Sequence, residues 1–108
     1  MFGMYNIREM DVDTLEDSRE GIHLIDVRTE GEVARGVISG AIHIPLHLLP
    51  LRTGEVPQDR PVVIYCNSGA RSAQACAFMN AKGFGNMHNL TGGILAWARS
   101  GRPLAALS

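Results

Sequence analysis

The chain has 108 residues, of which 45% are hydrophobic and 19% are charged, and its formal net charge at pH 7 is −1. This length predicts one domain over residues 1–108, because it can bury one core and is too short for two. A net charge near zero argues against nucleic acid as the main partner. The amino terminus does not resemble a signal peptide, and no apolar run approaches the roughly 18 residues of a membrane helix, so no membrane partner is expected.

Charge is distributed unevenly along the chain. Residues 1–59 contain all 11 acidic residues and 5 of the basic ones, whereas residues 60–108 contain 5 basic residues and no acid. Two interpretations are open at this point. Either the second half is locally cationic and suits an anionic substrate, or folding mixes the two halves and removes the asymmetry.

The two cysteines, Cys66 and Cys76, form neither a CxxC pair nor a Cys/His cluster. The four histidines share no metal-binding spacing, so neither a metal nor another cofactor is expected. A disulfide between the cysteines would require the predicted helix between them to break. Cytoplasm is the predicted location, because its reducing conditions keep a reactive thiol free.

Short β-type runs alternate with helical segments along the chain. The predicted strands are Tyr5–Ile7, His23–Val27, Ala41–Ile44, Pro61–Tyr65 and Met87–Leu90. The predicted helices run from the Asp11 cap to Ser18, from the Thr29 cap over Glu30–Arg35, over one or two turns in Leu46–Leu51, over Ser72–Lys82, and from Thr91 or Gly92 to Ser100. This alternation predicts an α/β fold with three layers, α/β/α, around a five-stranded and mainly parallel sheet.

The segment from Cys66 to Ser72 joins the most apolar strand to the most apolar helix. A strand, a turn with Gly69 and a helix start form a crevice at the carboxyl end of a sheet, where open α/β proteins bind ligands. The free N–H groups and positive dipole end of the helix favour an anion there, which can be the Cys66 thiolate itself. With Arg71 nearby, the pKa of Cys66 is expected to lie below that of a free cysteine.

Three segments together resemble a known family. Cys66-x-x-Gly69-x-Arg71-Ser72 resembles the active-site loop of rhodanese-type sulfurtransferases, Asp26-Val27-Arg28 followed by Glu32 resembles their first signature, and Gly92-Gly93-Ile94-Leu95-Ala96-Trp97 resembles their closing one. Val33 stands where an aromatic residue is common, and Gly36-Val37-Ile38 lacks the usual histidine, which affects local packing. The resemblance implies the strand order 3-2-4-5-1, which places Asp26 and Cys66 side by side.

The resemblance implies sulfur transfer with Cys66 as the nucleophile. The sulfur comes from a small anionic donor such as thiosulfate, rests on Cys66 as a persulfide, and leaves to cyanide, a thiol or a protein acceptor. We expect Arg71 to bind the anionic end of the donor, and Ser72 either to hydrogen-bond inward or to cap the helix. The backbone amides of the loop are expected to cradle the sulfur, with small side chains leaving the mouth open: Asn67, Ser68, Gly69, Ala70, Arg71 and Ser72.

Two residues of the first signature are candidate supporting residues. Asp26 either fixes the neighbouring loop by accepting its amides or belongs to the site. An unpaired carboxylate would raise the pKa of Cys66, so Asp26 is expected to point away or to be paired. Arg28 has the spacing to form an ion pair with Glu32. Cys76 and Trp97 are predicted to be core residues. The four histidines are predicted to be strand or surface residues, and His88, before Asn89, is the only one that the sequence singles out.

Two other functions remain open from the sequence. A thiolate and an arginine above a helix start also suit a phosphatase or arsenate reductase, although only four residues separate Cys66 from Arg71, whereas related phosphatases use five. A persulfide carrier or sensor that delivers sulfur to a protein partner would use the same loop. A binding module without catalysis fits poorly while Cys66 is present.

Overall fold

The computed structural model describes residues 7–107. Its strands are β1 (Arg8–Met10), β2 (His23–Asp26), β3 (Ile42–His43), β4 (Val62–Tyr65) and β5 (Met87–Leu90). Its α-helices are α1 (Val12–Asp17), α2 (Glu30–Val33), α3 (Ala70–Ala81) and α4 (Gly93–Arg99). Short 3-10 segments cover Arg19–Gly21, Leu46–Leu51 and Thr53–Glu55.

The five strands form one sheet in the order β1-β5-β4-β2-β3, and every neighbouring pair is parallel. This confirms the predicted order. Asp26 is the register partner of Tyr65, and the Val27 amide donates to the Tyr65 carbonyl at 3.0 Å. Cys66, which follows Tyr65, therefore lies beside the end of β2, at the edge where parallel strands place their carboxyl ends.

Both faces of the sheet are covered, which confirms the three-layer architecture. On one face, α3 contributes Ala75, Cys76 and Met79 to a core with the strand residues Ile25 and Ile64. On the other face, the second core joins one residue of α1, two of α4 and four strand residues: Leu15, Ile94, Trp97, Leu24, Val63, Tyr65 and Leu90. Strands covered on both faces must be apolar throughout, as all four buried residues of β4 are.

Element ends differ from the prediction by more than one residue at three places. The first strand is Arg8–Met10 instead of Tyr5–Ile7, of which Tyr5 and Asn6 lie outside the described residues. Helix α3 begins at Ala70, two residues earlier than predicted, because Gly69 takes a φ of +113° and turns the chain directly into the helix. Helix α2 ends at Val33 instead of Arg35.

The predicted caps are confirmed, and one predicted ion pair is wrong. The Asp11 carboxylate accepts the Thr14 amide at 2.8 Å, and Thr29 and Glu32 form a capping box. Arg28 does not pair with Glu32. Its guanidinium bonds to Asp26 at 2.8 Å, because this fully buried carboxylate needs a partner, whereas Glu32 is partly exposed and bonds to Arg71. In residues 7–107, no helix has the length and apolar character to cross a bilayer.

Candidate active site

Two donors point at the sulfur of Cys66. The Gly69 amide lies 3.1 Å from Sγ, and the Ser72 hydroxyl lies 3.4 Å from it. Burial raises the pKa of Cys66, but hydrogen bonds from the Ser72 side chain and from the amides of Ser72, Gly69 and Ser68 outweigh it, so the pKa lies below its ordinary value. The loop therefore stabilises negative charge on sulfur, chiefly through main-chain donors and one hydroxyl.

The loop is more closed than the sequence indicated. The side chains of Asn67, Ser68 and Ala70 are small, yet only 1% of Cys66 is exposed. Sequence reasoning considered those side chains alone and did not include the helix that packs against the loop from the other side. The expectation of an open mouth is therefore wrong for this conformation of the loop.

Helix α4 fixes the loop by donating hydrogen bonds from its first amides to two loop carbonyls. The Ile94 amide donates to the Cys66 carbonyl at 3.0 Å, and the Leu95 amide donates to the Asn67 carbonyl at 3.1 Å. A trans peptide carries its N–H opposite its C=O, so holding these carbonyls against α4 turns the following amides toward the inside of the loop. The orphan donors of α4 thereby orient the sulfur cradle.

Gly93 permits this close approach. A Cβ on Gly93 would lie 2.6 Å from the Cys66 carbonyl oxygen and still closer to that of Asn67, and its φ is +62°. In the sequence, Gly92-Gly93 belongs to the closing signature and marks a helix start, but the pattern does not indicate what Gly93 contacts. Its role is to let a helix start lie directly on the active-site loop.

Ser72 hydrogen-bonds inward, which settles the question that the sequence left open. Besides facing Sγ, its hydroxyl contacts the Asn89 side-chain oxygen. The Asn89 amide nitrogen donates to the Gly69 carbonyl at 3.3 Å and to the Glu9 carboxylate at 3.2 Å. Since these two neighbours are both acceptors, the amide nitrogen faces them and the amide oxygen faces Ser72. A chain of polar contacts therefore runs from Glu9 to Cys66.

Asn89 and Glu9 are the site residues that sequence reasoning missed. The sequence pattern predicts a strand at Asn89 and indicates no role for Glu9. They lie 80 positions apart, and only the β1–β5 pairing brings them into register. The one available signal was a polar residue, Asn89, in a strand whose other buried residues are apolar.

Arg71 is held by an acidic residue of α2. Its two terminal nitrogens each donate to Glu32 at 2.8 Å, and the Arg71 side chain is 35% exposed. These bonds, together with those from Thr29, hold the pKa of Glu32 at about 2, so Glu32 is ionised at neutral pH. Glu32 and the nearby Cys66 thiolate both raise the pKa of Arg71.

Asp26 is paired, as the sequence required. Its carboxylate accepts the Arg28 amide at 2.9 Å and the Arg28 guanidinium at 2.8 to 3.1 Å, and Asp26 is fully buried. Arg28 also donates to the Gly36 carbonyl at 2.7 Å and lies over the Tyr65 ring. The pair therefore braces the loop between β2 and β3, and its carboxylate is neutralised next to Cys66.

A cavity of about 290 Å³ adjoins the loop at the end of β2. Arg71 and Thr29 form part of its wall, and most of the remaining lining is apolar: Val27, Pro45 and Leu46, with Arg28 and His47. His47 is thus the histidine that lines this cavity. His88, which the sequence favoured, lies within β5, and its Nδ1 is buried without a partner among residues 7–107.

Folding mixes the charges of the two halves of the chain. Three basic residues of the second half pair with acids of the first: Arg60 with Asp59, Arg71 with Glu32, and Arg102 with Asp13 and Glu16. The second of the two interpretations left open by the sequence is therefore correct for these residues. The asymmetry along the sequence does not translate into a cationic face around Arg71.

Cys76 packs in the core, as predicted. It is fully buried, and burial raises its pKa to about 12. Both cysteines are free thiols. Among residues 7–107, no three His, Cys, Asp or Glu side chains are grouped so as to hold a metal ion.

The sequence matches a described family over most of its length. Residues 11–100 match the rhodanese-like domain. The chain belongs to the rhodanese-like domain family. A protein of Allochromatium vinosum named "Sulfurtransferase" is 48% identical to this rhodanese-like domain over 103 residues, which cover 93% of this chain and 96% of that protein.

Two further comparisons extend the match. "Thiosulfate sulfurtransferase GlpE" of Stutzerimonas stutzeri is 32% identical to this rhodanese-like domain over 77 residues, 71% of each chain. The crystal structure of a rhodanese-related protein from Thermoplasma volcanium superimposes with a TM-score of 0.87 at 28% identity, covering 93% of this chain and 99% of that one. Sequence and structure therefore agree on the family and on the fold.

Proposed function

We propose that the protein is a sulfurtransferase that moves a sulfane sulfur from thiosulfate or a similar donor to cyanide or a thiol through a persulfide on Cys66. The observation that carries the proposal is the pair of donors aimed at Sγ, the Gly69 amide at 3.1 Å and the Ser72 hydroxyl at 3.4 Å. Donors in that position stabilise a thiolate before the reaction and a persulfide anion after it. The family and the names of two relatives support the same reaction class.

In the first half-reaction, the Cys66 thiolate attacks the outer sulfur of the donor. A new S–S bond forms, the bond between the two sulfurs of thiosulfate breaks, and sulfite leaves with the electron pair. In the second half-reaction, cyanide or a thiolate attacks the terminal sulfur, and Cys66 leaves as a thiolate. No general base is needed, because the lowered pKa of Cys66 supplies the thiolate.

We assign the loop residues Asn67 to Ser72 to the sulfur cradle and Arg71 to the anionic end of the donor. Asp26 and Arg28 support the loop from the neighbouring strand end through their buried pair. The whole of residues 1–108 acts as one domain in this proposal, and its location is the cytoplasm, where reducing conditions keep Cys66 and Cys76 as free thiols.

A persulfide carrier that hands sulfur to a protein acceptor uses the same loop. With 1% of Cys66 exposed, the sulfur is shielded by its own loop, and this is the observation that favours a carrier whose partner protein docks on that loop. Steady-state kinetics separates the two functions. A carrier shows a very high KM for thiosulfate together with fast transfer to a protein thiol, whereas a small-molecule enzyme turns over cyanide efficiently.

The phosphatase alternative finds less support in this loop. Its amides and one hydroxyl converge on the sulfur of Cys66 itself, whereas a phosphatase needs a wider ring around phosphate oxygens. Hydrolysis of an aryl phosphate without transfer of sulfur from thiosulfate to cyanide would reverse this ranking.

Intact-protein mass spectrometry after incubation with thiosulfate tests the proposal. We expect one added sulfur, about 32 Da, which peptide mapping places on Cys66, and its loss on addition of cyanide. Cys76→Ser is the matched control and retains the adduct. An adduct that persists in Cys66→Ser, or sulfur transfer that survives this substitution, would refute the proposal.

A further inference from the structure

The cation expected to bind the donor is already engaged within the protein. Arg71 gives one hydrogen bond from each terminal nitrogen to Glu32, both at 2.8 Å. The Glu32 carboxylate also accepts the Thr29 amide at 3.0 Å and the Thr29 hydroxyl at 3.1 Å. Four donors hold this carboxylate in place, and the Arg71–Glu32 pair as a whole carries no net charge.

The charge of the donor therefore matters for the first half-reaction. Thiosulfate carries two negative charges and meets the Cys66 thiolate, so three negative charges come together; the persulfide and sulfite that result carry three as well. An aryl thiosulfonate carries one negative charge, delivers the same outer sulfur and releases a sulfinate, so only two charges meet. Repulsion penalises the dianion more strongly, unless the site supplies a net positive charge.

We propose that Glu32 is a specificity-determining residue, which neutralises Arg71 and so disfavours dianionic sulfur donors relative to monoanionic ones. This inference rests on the proposed function. It assigns the donor to a class, a singly charged sulfane-sulfur compound, where the sequence had suggested a small dianion.

The cavity beside the loop supports the same donor class. Arg71 and Thr29, the two residues that contact Glu32, both lie in its wall, so the neutralised pair borders a cavity at the edge of the active-site loop. Val27, Pro45 and Leu46 give that space an apolar lining. Of its two other residues, Arg28 is neutralised by its pair with Asp26, and His47 contributes an imidazole. An apolar wall next to a charge-neutral pair suits a donor that has a hydrocarbon group and one negative charge.

The decisive variant is Glu32→Gln, which removes the negative charge and retains the capping box, since glutamine also serves at that position. The readout is the ratio of kcat/KM for thiosulfate to kcat/KM for benzenethiosulfonate, with cyanide as acceptor. We expect the ratio to rise about three- to tenfold, the effect of one unit charge at several ångströms in a partly solvated site. A change in the pKa of Cys66 affects both donors equally and cancels in the ratio.

Glu30→Gln is the matched control, because Glu30 occupies the first turn of the same helix and is exposed. We expect the control to change the ratio less than twofold, and salt to reduce the effect of Glu32→Gln. Glu32→Ala removes the same charge without placing an amide next to Arg71, and we expect it to raise the ratio as well, so it decides the matter if Glu32→Gln does not fold. An unchanged ratio in the folded variants, with turnover still dependent on Cys66, overturns this inference alone. Turnover that survives Cys66→Ser overturns the proposed function instead.

Discussion

Ser72 places its hydroxyl oxygen 3.4 Å from the sulfur of Cys66. The same hydroxyl contacts the side-chain oxygen of Asn89, so one proton is shared between two acceptors. When Cys66 is a thiol, the Ser72 hydroxyl can donate its hydrogen bond to the Asn89 side-chain oxygen. When Cys66 is a thiolate or a persulfide anion, the hydroxyl donates to the sulfur. The ionisation of Cys66 is thus coupled to the orientation of a single hydroxyl group.

Ser72→Ala removes the side-chain donor and leaves the amides of the loop in place. We expect the pKa of Cys66 to rise, because the thiolate loses a hydrogen bond that stabilises the charged sulfur by about 1.5 kcal/mol. The rate of Cys66 alkylation, measured against pH, gives this pKa. Ser68→Ala is the control, because Ser68 lies on the exposed side of the loop and contributes its backbone amide. An alkylation profile that does not move in Ser72→Ala would contradict a role for the hydroxyl.

Asn89→Leu is expected to have the opposite effect on the same pKa. Leucine has nearly the shape of asparagine but offers no acceptor, so the Ser72 proton is left with sulfur as its partner. The pKa of Cys66 should therefore fall, provided that the loop keeps its place without the bond from Asn89 to the Gly69 carbonyl. The pH profile of alkylation is again the measurement. A rise in the pKa would show that Asn89 acts mainly by holding Gly69.

Gly93→Ala tests the packing of α4 on the active-site loop. The added methyl group would lie 2.6 Å from the Cys66 carbonyl oxygen, so either the loop or the helix must shift. We expect a loss of about 2 kcal/mol or more in the free energy of unfolding and a loss of sulfur transfer. Gly101→Ala is a matched control, because Gly101 also has a positive φ, +85°, with no atom within 4 Å of the added carbon. Its expected cost is about 1 kcal/mol, with activity retained. Equal effects of the two substitutions would contradict the packing argument.

The Arg71–Glu32 pair gives the folded state a defined dependence on acid. The bonds from Arg71 lower the pKa of Glu32 from 4.5 to about 2. A carboxyl group whose pKa is lowered by folding stabilises the folded state at pH values above its unfolded-state pKa, here 4.5. This stabilisation is lost as the pH falls from 4.5 through the folded-state pKa of about 2. We expect Glu32→Gln to be less stable than the wild type by about 1 kcal/mol at neutral pH. Denaturant titrations should show this difference shrinking below pH 4.5. A difference independent of pH would mean that the charge of Glu32 is not its source.

The sequence predicted the part of the site that is continuous along the chain. The strand Val62–Tyr65, the loop and α3 follow one another, so apolar runs and one glycine were enough to place Cys66 at the carboxyl edge of the sheet. Local caps at Asp11 and Thr29 were predicted for the same reason, because each depends on residues three positions apart.

Contacts between residues that are far apart in the sequence could not be predicted from it. The partner of Arg71 is 39 positions away, and the link between Asn89 and Glu9 spans 80. Arg28 has two acidic residues nearby in the sequence, Asp26 two residues before it and Glu32 four residues after it. The helical spacing favours Glu32, but the structure pairs Arg28 with Asp26 at the buried end of β2. The closed loop depends on α4 packing, which no pattern within the loop indicates.

The most direct test of the central claim is the pKa of the Cys66 thiol, obtained from the pH dependence of its alkylation in a Cys76→Ser background. Donors on Sγ predict a midpoint below the value of about 8.5 for a free cysteine. A midpoint at or above about 8.5 would mean that burial dominates and that the loop does not hold a negative sulfur.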